Sequence, residues 1–248
     1  MKAPETEINA PEFPPGIEWI NVPYLPMRTL LGRNVALVWF WDYCSLNSLR
    51  SLPYLQEWHR RYHDAGLRVI GVHSPGFAPS FDPAAVRAAV VRLDVPYPVV
   101  VDSDLEVWDL YGNQGWPARY LFDRSLTLVD YHYGEGAYDE SERAIAELLD
   151  VEPPPFAPLR PEDAPGAALA PQTADQEGAY SGPYEAGGVW AVVSGRGALS
   201  ANGKRCEVDG PGCLALLEHE RSTAGVLELA VSGAATCHAT CFTPGLAP

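Results

Sequence analysis

The sequence predicts two domains of different class, an α/β domain followed by a small antiparallel β domain. The apolar run Val35–Trp41 carries no charge, and apolar residues at helical spacing follow it from Asn47 onward, which is typical of a buried strand leading into a helix. Strand and helix patterns then alternate as far as residue 149, which predicts a mixed sheet covered on both faces. Beyond a Pro-rich stretch, short apolar runs separated by Gly-rich turns favour an all-β unit.

Each element of the α/β part has its own local signal. Residues 1–34 predict an entry segment that is broken at residues 14–16, Pro-Pro-Gly. Ala65-Gly66 ends the first helix, and Asp82-Pro83 is an N-cap followed by a first-turn proline that begins the second. The predicted elements, in order, are strand Val35–Trp41, a helix from Ser48, strand Leu67–His73, helix 82–93, strand 95–102, helix 103–111, strand Ala118–Phe122, strand 126–133 and helix 139–149.

Composition then divides the chain. Residues 1–150 form the α/β domain, and residues 151–177, rich in Pro and Ala and without periodicity, predict a semi-rigid linker. Residues 178–248 predict a small β-sandwich or jelly-roll-like domain. Within it, Asn202-Gly203 is a strong hairpin signal because both residues tolerate positive φ, and residues 209–212 predict another turn.

Charge and apolar patterning exclude several classes of function. The chain of 248 residues has 17 basic and 32 acidic residues, a net charge of −15, which argues against nucleic acid and anionic membrane surfaces as partners. No apolar stretch reaches the length of a membrane span. The N-terminal residues lack the apolar core of a signal peptide, so we expect a cytoplasmic protein with reduced cysteines.

The segment FWDYCSLNSLRSLPYL, residues 40–55, resembles the active-site segment of thioredoxin-fold proteins of the redoxin type. It is most similar to the thioredoxin-like domains of NHL-repeat proteins and of bacterial thiol-disulfide oxidoreductases. The likeness continues through residues 67–77, 97–123 and 132–136. It implies a thioredoxin-like fold, a short leading hairpin within residues 16–34, and a match of Trp116-Pro117 to the family's cis-proline. Some of the bacterial oxidoreductases also carry a β domain after this one.

The chemistry that the resemblance implies is missing from this chain. Ser45 and Ser48 stand where the family has the two cysteines of its Cys-x-x-Cys pair, and Trp39 stands where it has a buried Asp that helps move the second thiol's proton. A hydroxyl has no accessible anion near neutral pH and forms no disulfide. We therefore expect no dithiol exchange at these positions. Loss of the carboxylate as well favours natural loss of the redox site over an engineered trap.

Three hypotheses for the function follow. In the first, the chain binds a peptide or protein partner in the groove beside Pro117, with Tyr43 and Trp116 as further binding residues and Cys44, Ser45 and Ser48 at the motif positions. In the second, Cys44 acts alone as a thiol oxidoreductase or peroxidase, its pKa lowered by the helix N-terminus and its oxidised form resolved by a β-domain cysteine. In the third, the β domain binds a small molecule or sugar. Its candidate stacking residues are Tyr180, Tyr184, Trp190 and His219.

The other cysteines, Cys206, Cys213, Cys237 and Cys241, all lie in the predicted β domain. Cys237 and Cys241 would be about 13 Å apart in one straight strand, too far for a disulfide. Cross-strand bridges joining Cys213 to Cys237 or Cys206 to Cys241 remain open, although we expect buried free thiols. The cysteine spacings do not match zinc knuckles, and the helical pair of histidines at 59 and 63 fits a solvated face. We predict no metal and no cofactor.

Overall fold

The computed structural model describes residues 7–247 and divides them into two units. The first comprises residues 7–76 and 81–156, and the second comprises residues 157–247 with the short segment 77–80. No helix within the described part of the chain is both long enough and apolar enough to cross a membrane.

A six-stranded sheet organises the first unit. Its strands are β1 (Glu18–Ile20), β2 (Val35–Trp41), β3 (Leu67–His73), β4 (Val99–Val101), β5 (Ala118–Phe122) and β6 (Leu128–Tyr133). Its helices are α1 (Leu46–Tyr62), α2 (Pro83–Arg92), α3 (Glu106–Leu110) and α4 (Tyr138–Leu149). The strand order is β1-β4-β3-β2-β5-β6; the three central strands β4, β3 and β2 are parallel, and β1, β5 and β6 join antiparallel.

The sequence pattern explains why β2 lies in the middle of this sheet. All seven of its residues are buried, so a continuous apolar run with no polar face requires cover on both sides. Helix α1 lies against the neighbouring strand β3 and helix α4 lies against β2, and α1 buries Leu52, Leu55 and Trp58. Each buried side chain of this size contributes roughly 1.5–3 kcal/mol to stability. The predicted central strand and amphipathic helix are confirmed.

Three elements differ from expectation. No leading hairpin forms within residues 16–34; β1 instead pairs with β4 at the edge of the sheet. The predicted strand 95–102 is reduced to Val99–Val101, because Pro96 and Pro98 have no N–H for a ladder. The predicted helix 103–111 begins only at Glu106, where the buried Asp102 carboxylate accepts the first amides of α3.

The second unit is built on one long strand. Its strands are β7 (Leu169–Ala170), β8 (Gln176–Glu177), β9 (Gly182–Ala201), β10 (Lys204–Asp209), β11 (Gly212–Leu227), β12 (Leu229–Thr243) and β13 (Gly245–Leu246). β12 pairs along one side of β9, while β10 and β11 share the other side. All three pairings are antiparallel, which confirms the antiparallel β character predicted for this part of the chain.

Local turn chemistry fixes the register of β9 against β10. Asn202 and Gly203 both have positive φ, and Lys204 pairs with Ala201, so the predicted two-residue hairpin is confirmed. Part of segment 151–177, whose composition predicts a linker, is paired into this unit: β7 pairs with β13, and β8 pairs with β12. Backbone pairing of this kind needs no apolar periodicity, so composition alone does not reveal it.

Candidate functional site

The turn that precedes α1 is fixed by Ser45, which is the N-cap of the helix. Its Oγ accepts a hydrogen bond from the Ser48 amide at 3.3 Å, and its own amide donates to the Asp42 carbonyl at 2.9 Å. A side-chain oxygen at this position satisfies one of the free amides of a helix N-terminus. Because of this cap, the helix begins at Leu46, two residues earlier than predicted. Both motif positions therefore lie in the cap and first turn of α1.

Ser48, at the second motif position, is a structural residue. It has no exposed surface, and its Oγ accepts the Asp42 backbone amide at 3.3 Å. The hydroxyl thus braces the turn from inside the protein. An unmatched amide at this buried place would lower stability, so the hydroxyl has a role that needs no chemical reactivity.

Cys44 is fully buried, and its amide donates to the Asp42 carboxylate at 2.8 Å. Burial raises the pKa of its thiol well above the ordinary value, and the negative charge of Asp42 raises it further. The prediction that the helix N-terminus lowers this pKa is wrong, because loss of hydration outweighs the dipole of the helix. A reactive thiolate is therefore disfavoured at Cys44.

Asp42 is a site residue that the sequence analysis did not single out. Its carboxylate is fully buried; it accepts the Cys44 amide, accepts the Gly76 amide at 2.8 Å, and lies 3.6 Å from His73 Nε2. Burial acts to raise its pKa, but the hydrogen bonding and charge of His73, together with the two amides, bring the pKa below the ordinary value. The available signal was the Asp two residues before Cys44, a spacing typical of an Asx turn.

Strand register places Pro117 at the same end of the sheet as this turn. Phe40 pairs with Ala118 across β2 and β5, so Pro117 lies beside the end of β2, where the turn into α1 begins. The peptide bond between Trp116 and Pro117 is cis, and the Pro117 carbonyl accepts the Gly134 amide at 2.7 Å. Pro117 is itself buried.

Trp116 forms the half-buried rim of this region. Its indole Nε1 donates to the Ser74 carbonyl at 2.7 Å, and its ring lies 4.2 Å from that of Trp108. Within residues 7–247, the backbone N–H and C=O of Trp116 make no hydrogen bond. Tyr43, also predicted as a binding residue, is only 1% exposed and stacks on His73 at 5.2 Å, so its ring supports the turn from within.

A second buried feature surrounds Trp39, which the resemblance places where redoxin-type domains have a buried Asp. Trp39 is fully buried and stacks on Trp41 at 5.2 Å, so two indoles fill this part of the core. The paired residue on β5 is Arg119, which is 2% exposed and lies over the rings of Trp58 and Tyr138.

Arg119 is partly satisfied by hydrogen bonds. Its Nη2 donates to the Gly136 carbonyl at 2.8 Å and to Ser141 Oγ at 3.2 Å, but its Nε and Nη1 have no partner among the described residues. Burial lowers its pKa to about 10. A single Arg within an apolar strand carries no periodic signal, so the sequence pattern does not reveal this residue.

The four cysteines of the second unit form no disulfide within the described part of the chain. Cys213 pairs with Val192 and Cys237 with Val193, on opposite sides of β9, which separates the two by about 10 Å. Cys206 and Cys241 pair with residues nine positions apart along β9, so they are farther apart still. Both cross-strand disulfides left open by the sequence are therefore excluded, since each needs Cα atoms within about 7 Å.

The aromatic residues predicted to line a sugar surface are largely committed to packing. Tyr184 is buried, and its hydroxyl lies 3.0 Å from His219 Nε2, while Tyr180 donates to the Pro183 carbonyl. Both tyrosine rings pack against Phe242 in the core of this unit. No group of three or more His, Cys, Asp or Glu residues in the described chain is arranged to hold a metal ion.

Comparison with known proteins gives several relatives of this chain, although no protein-family model matches it. Protein DipZ of Mycobacterium tuberculosis is 34% identical over 173 residues, covering 66% of this chain and 25% of DipZ. Human NHL repeat-containing protein 2 is 32% identical over 139 residues, covering 55% of this chain and 19% of that protein. The chain thus spans a quarter or less of the length of these two relatives.

A small relative matches over nearly its whole length. The thiol-disulfide oxidoreductase YkuV of Bacillus subtilis is 27% identical over 139 residues, covering 56% of this chain and 93% of YkuV. Among solved structures, a thiol-disulfide isomerase from Corynebacterium glutamicum superposes with a TM-score of 0.50 at 23% identity, covering 58% of this chain and 99% of that one. The first unit of this chain therefore has a thioredoxin-like fold of the redoxin type and is related to thiol-disulfide oxidoreductases.

Proposed function

We propose that the first unit binds an extended peptide or protein segment beside Pro117 and performs no dithiol exchange at residues 45 and 48. One observation carries the proposal: the backbone N–H and C=O of Trp116 make no hydrogen bond within the described chain, at the end of the sheet where α1 begins. Such a pair of groups offers main-chain hydrogen bonds to an extended segment.

The absence of exchange follows from the side chains at the motif. Ser45 and Ser48 supply hydroxyls, and both hydroxyl oxygens already accept backbone amides that hold the turn. Cys44, the remaining thiol at this end of α1, is buried and its pKa is raised. These facts support a binding function and weaken the alternative in which Cys44 acts as a lone redox residue.

The test uses the carboxymethylated insulin B chain, an extended peptide without free thiols. Titrated into the isotopically labelled protein, it is expected to shift the Trp116 amide resonance and those of the adjoining β5 residues. An unchanged Trp116 amide at saturating peptide would contradict the proposal. In parallel, the parent protein is expected not to accelerate the reduction of insulin disulfides by dithiothreitol above the uncatalysed rate.

The double variant Ser45→Cys with Ser48→Cys is the matched control for the second assay. Because residue 45 is the N-cap of α1, a thiol there would be close to the positive end of the helix, and exchange should become measurable. Each single variant should turn over more slowly than the double variant, since release of its mixed disulfide then depends on attack by dithiothreitol instead of by a second protein thiol. Turnover by the parent would show that a different thiol is active.

A further inference from the structure

The Asp42 carboxylate joins the two loops that border the Pro117 region. We propose that Asp42 is the positioning residue of the peptide groove, holding both the turn into α1 and the loop on which Trp116 rests. This inference depends on the peptide-binding function proposed above and identifies the residue that gives the groove its shape. Asp42 contacts no peptide itself, because it has no exposed surface.

The first loop is the turn of residues 42–45. One carboxylate oxygen of Asp42 accepts the Cys44 amide at 2.8 Å, while the backbone amide of the same aspartate donates to Ser48 Oγ. The Asp42 carbonyl accepts the Ser45 amide. The aspartate therefore fixes the position of the N-cap through both its side chain and its main chain.

The second loop begins at the end of β3. The other oxygen of the carboxylate accepts the Gly76 amide at 2.8 Å. The Trp116 ring lies directly against Gly76: a Cβ added at residue 76 would be 3.2–3.3 Å from three atoms of that ring. Trp116 is also tied to this loop by its hydrogen bond to the Ser74 carbonyl. Gly76 thus lies between Asp42 and Trp116, the residue whose backbone is offered to the peptide.

This arrangement uses both acceptor oxygens of the Asp42 carboxylate. A carboxylate has two acceptor oxygens, and here each receives a different backbone amide. An Asn side chain has the same shape but only one acceptor, so its amino group would face one of the two N–H donors. The substitution Asp42→Asn must therefore release either the Cys44 amide or the Gly76 amide, without creating a cavity.

The experiment compares Asp42→Asn with Asp123→Asn. Asp123 is the control for the change of charge alone, because the Ser125 and Thr127 amides both donate to its Oδ1 in the turn between β5 and β6, so an Asn there can keep both hydrogen bonds. The readouts are the Trp116 indole N–H and Gly76 amide resonances and the affinity for the carboxymethylated B chain. We expect Asp42→Asn to move both resonances and to weaken B-chain binding about tenfold or more, and Asp123→Asn to do neither.

Each outcome decides the question. Unchanged Trp116 and Gly76 resonances in folded Asp42→Asn overturn the positioning role, as does an equal loss of binding in both variants. If Asp42→Asn fails to fold, Gly76→Ala tests the same contact between Gly76 and Trp116, because its methyl group must displace the Trp116 ring while Asp42 is intact. Unaltered Trp116 resonances and an unaltered affinity for the B chain in that variant overturn the positioning role of Asp42. If the parent does not bind the B chain, the proposed function fails, and the resonances alone decide the role of Asp42.

Discussion

The hydroxyl of Ser48 accepts the backbone amide of Asp42 at 3.3 Å in a place with no access to solvent. The resemblance of residues 40–55 to redoxin-type domains places this residue at the position of the second cysteine. Here the same position supports the turn that Asp42 organises. This structural role of Ser48 has consequences that can be measured.

Ser48→Ala is expected to lower the free energy of unfolding by about 1 kcal/mol. The variant leaves the Asp42 amide buried without an acceptor, which costs roughly 1–3 kcal/mol, and the higher helix propensity of Ala offsets part of that loss. Urea unfolding of the variant and the parent measures the difference. Asn47→Ala is the control, because Asn47 is exposed in the same turn of α1. Equal stabilities for Ser48→Ala and Asn47→Ala would contradict the structural role.

Cys44 should resist alkylation in the folded protein. Its thiol is buried and its pKa is raised, so iodoacetamide at pH 8 is expected to modify the partly exposed Cys206 and to spare Cys44. Peptide mass mapping identifies the modified residues, and denaturant should make all five cysteines reactive. Modification of Cys44 as fast as Cys206 would reinstate the single-cysteine enzyme hypothesis.

Arg119→Met is expected to leave the free energy of unfolding within about 1 kcal/mol of the parent value. Replacing a buried charge with an apolar side chain of similar volume is often neutral or stabilising, and it removes two N–H groups that lack described partners. The lost hydrogen bonds to Gly136 and Ser141 and the lost ring contacts act in the opposite direction. Arg119→Ala, which leaves a cavity instead, should lose about 2–4 kcal/mol. Similar losses in the two variants would mean that the charge itself stabilises the core.

Two glycines of the second unit allow the stability cost of backbone strain to be compared with the cost of a steric clash. Gly203 has positive φ and nothing within 4 Å of an added Cβ, so Gly203→Ala should cost about 1 kcal/mol. Gly195 also has positive φ, but an added Cβ would lie 2.1 Å from the Ala234 carbonyl oxygen. Gly195→Ala should therefore cost several times more, through forced separation of β9 from β12. Circular dichroism during thermal unfolding compares the two, and equal losses would mean that strain alone sets the cost.

The contribution of Asp42 should disappear in acid. Its pKa in the folded protein is below the ordinary value, so its stabilisation is complete above the unfolded pKa, about 3.9, and is lost as pH falls through the folded pKa. The difference in unfolding free energy between the parent and Asp42→Asn should shrink as pH falls from about 5 toward 2. Asp102, whose pKa is raised by burial, is present in both proteins and cancels. A difference independent of pH would mean that the carboxylate is not ionised in the fold.

Much of the architecture was predictable because it depends on local pattern. The buried strand Val35–Trp41 and the capped helix Pro83–Arg92 follow from apolar runs and from Asp82, whose side chain accepts the Ala84 amide. The Asn202-Gly203 hairpin follows from the conformations that these two residues tolerate. Strand boundaries near Pro96 were harder, because ladder pairing depends on a partner strand as well as on the segment itself.

The sequence by itself determined that residues 45 and 48 carry hydroxyls and form no disulfide, because residue identity alone fixes which bonds their side chains can form. Only the tertiary structure decided what surrounds them. The Asp42 carboxylate accepts the Gly76 amide, and the Trp116 ring lies against Gly76, so residues more than thirty positions apart along the chain come together. The same packing buries Cys44. The Cys44 thiol loses its hydration only when those segments pack. The direction of its pKa shift was therefore set by the fold.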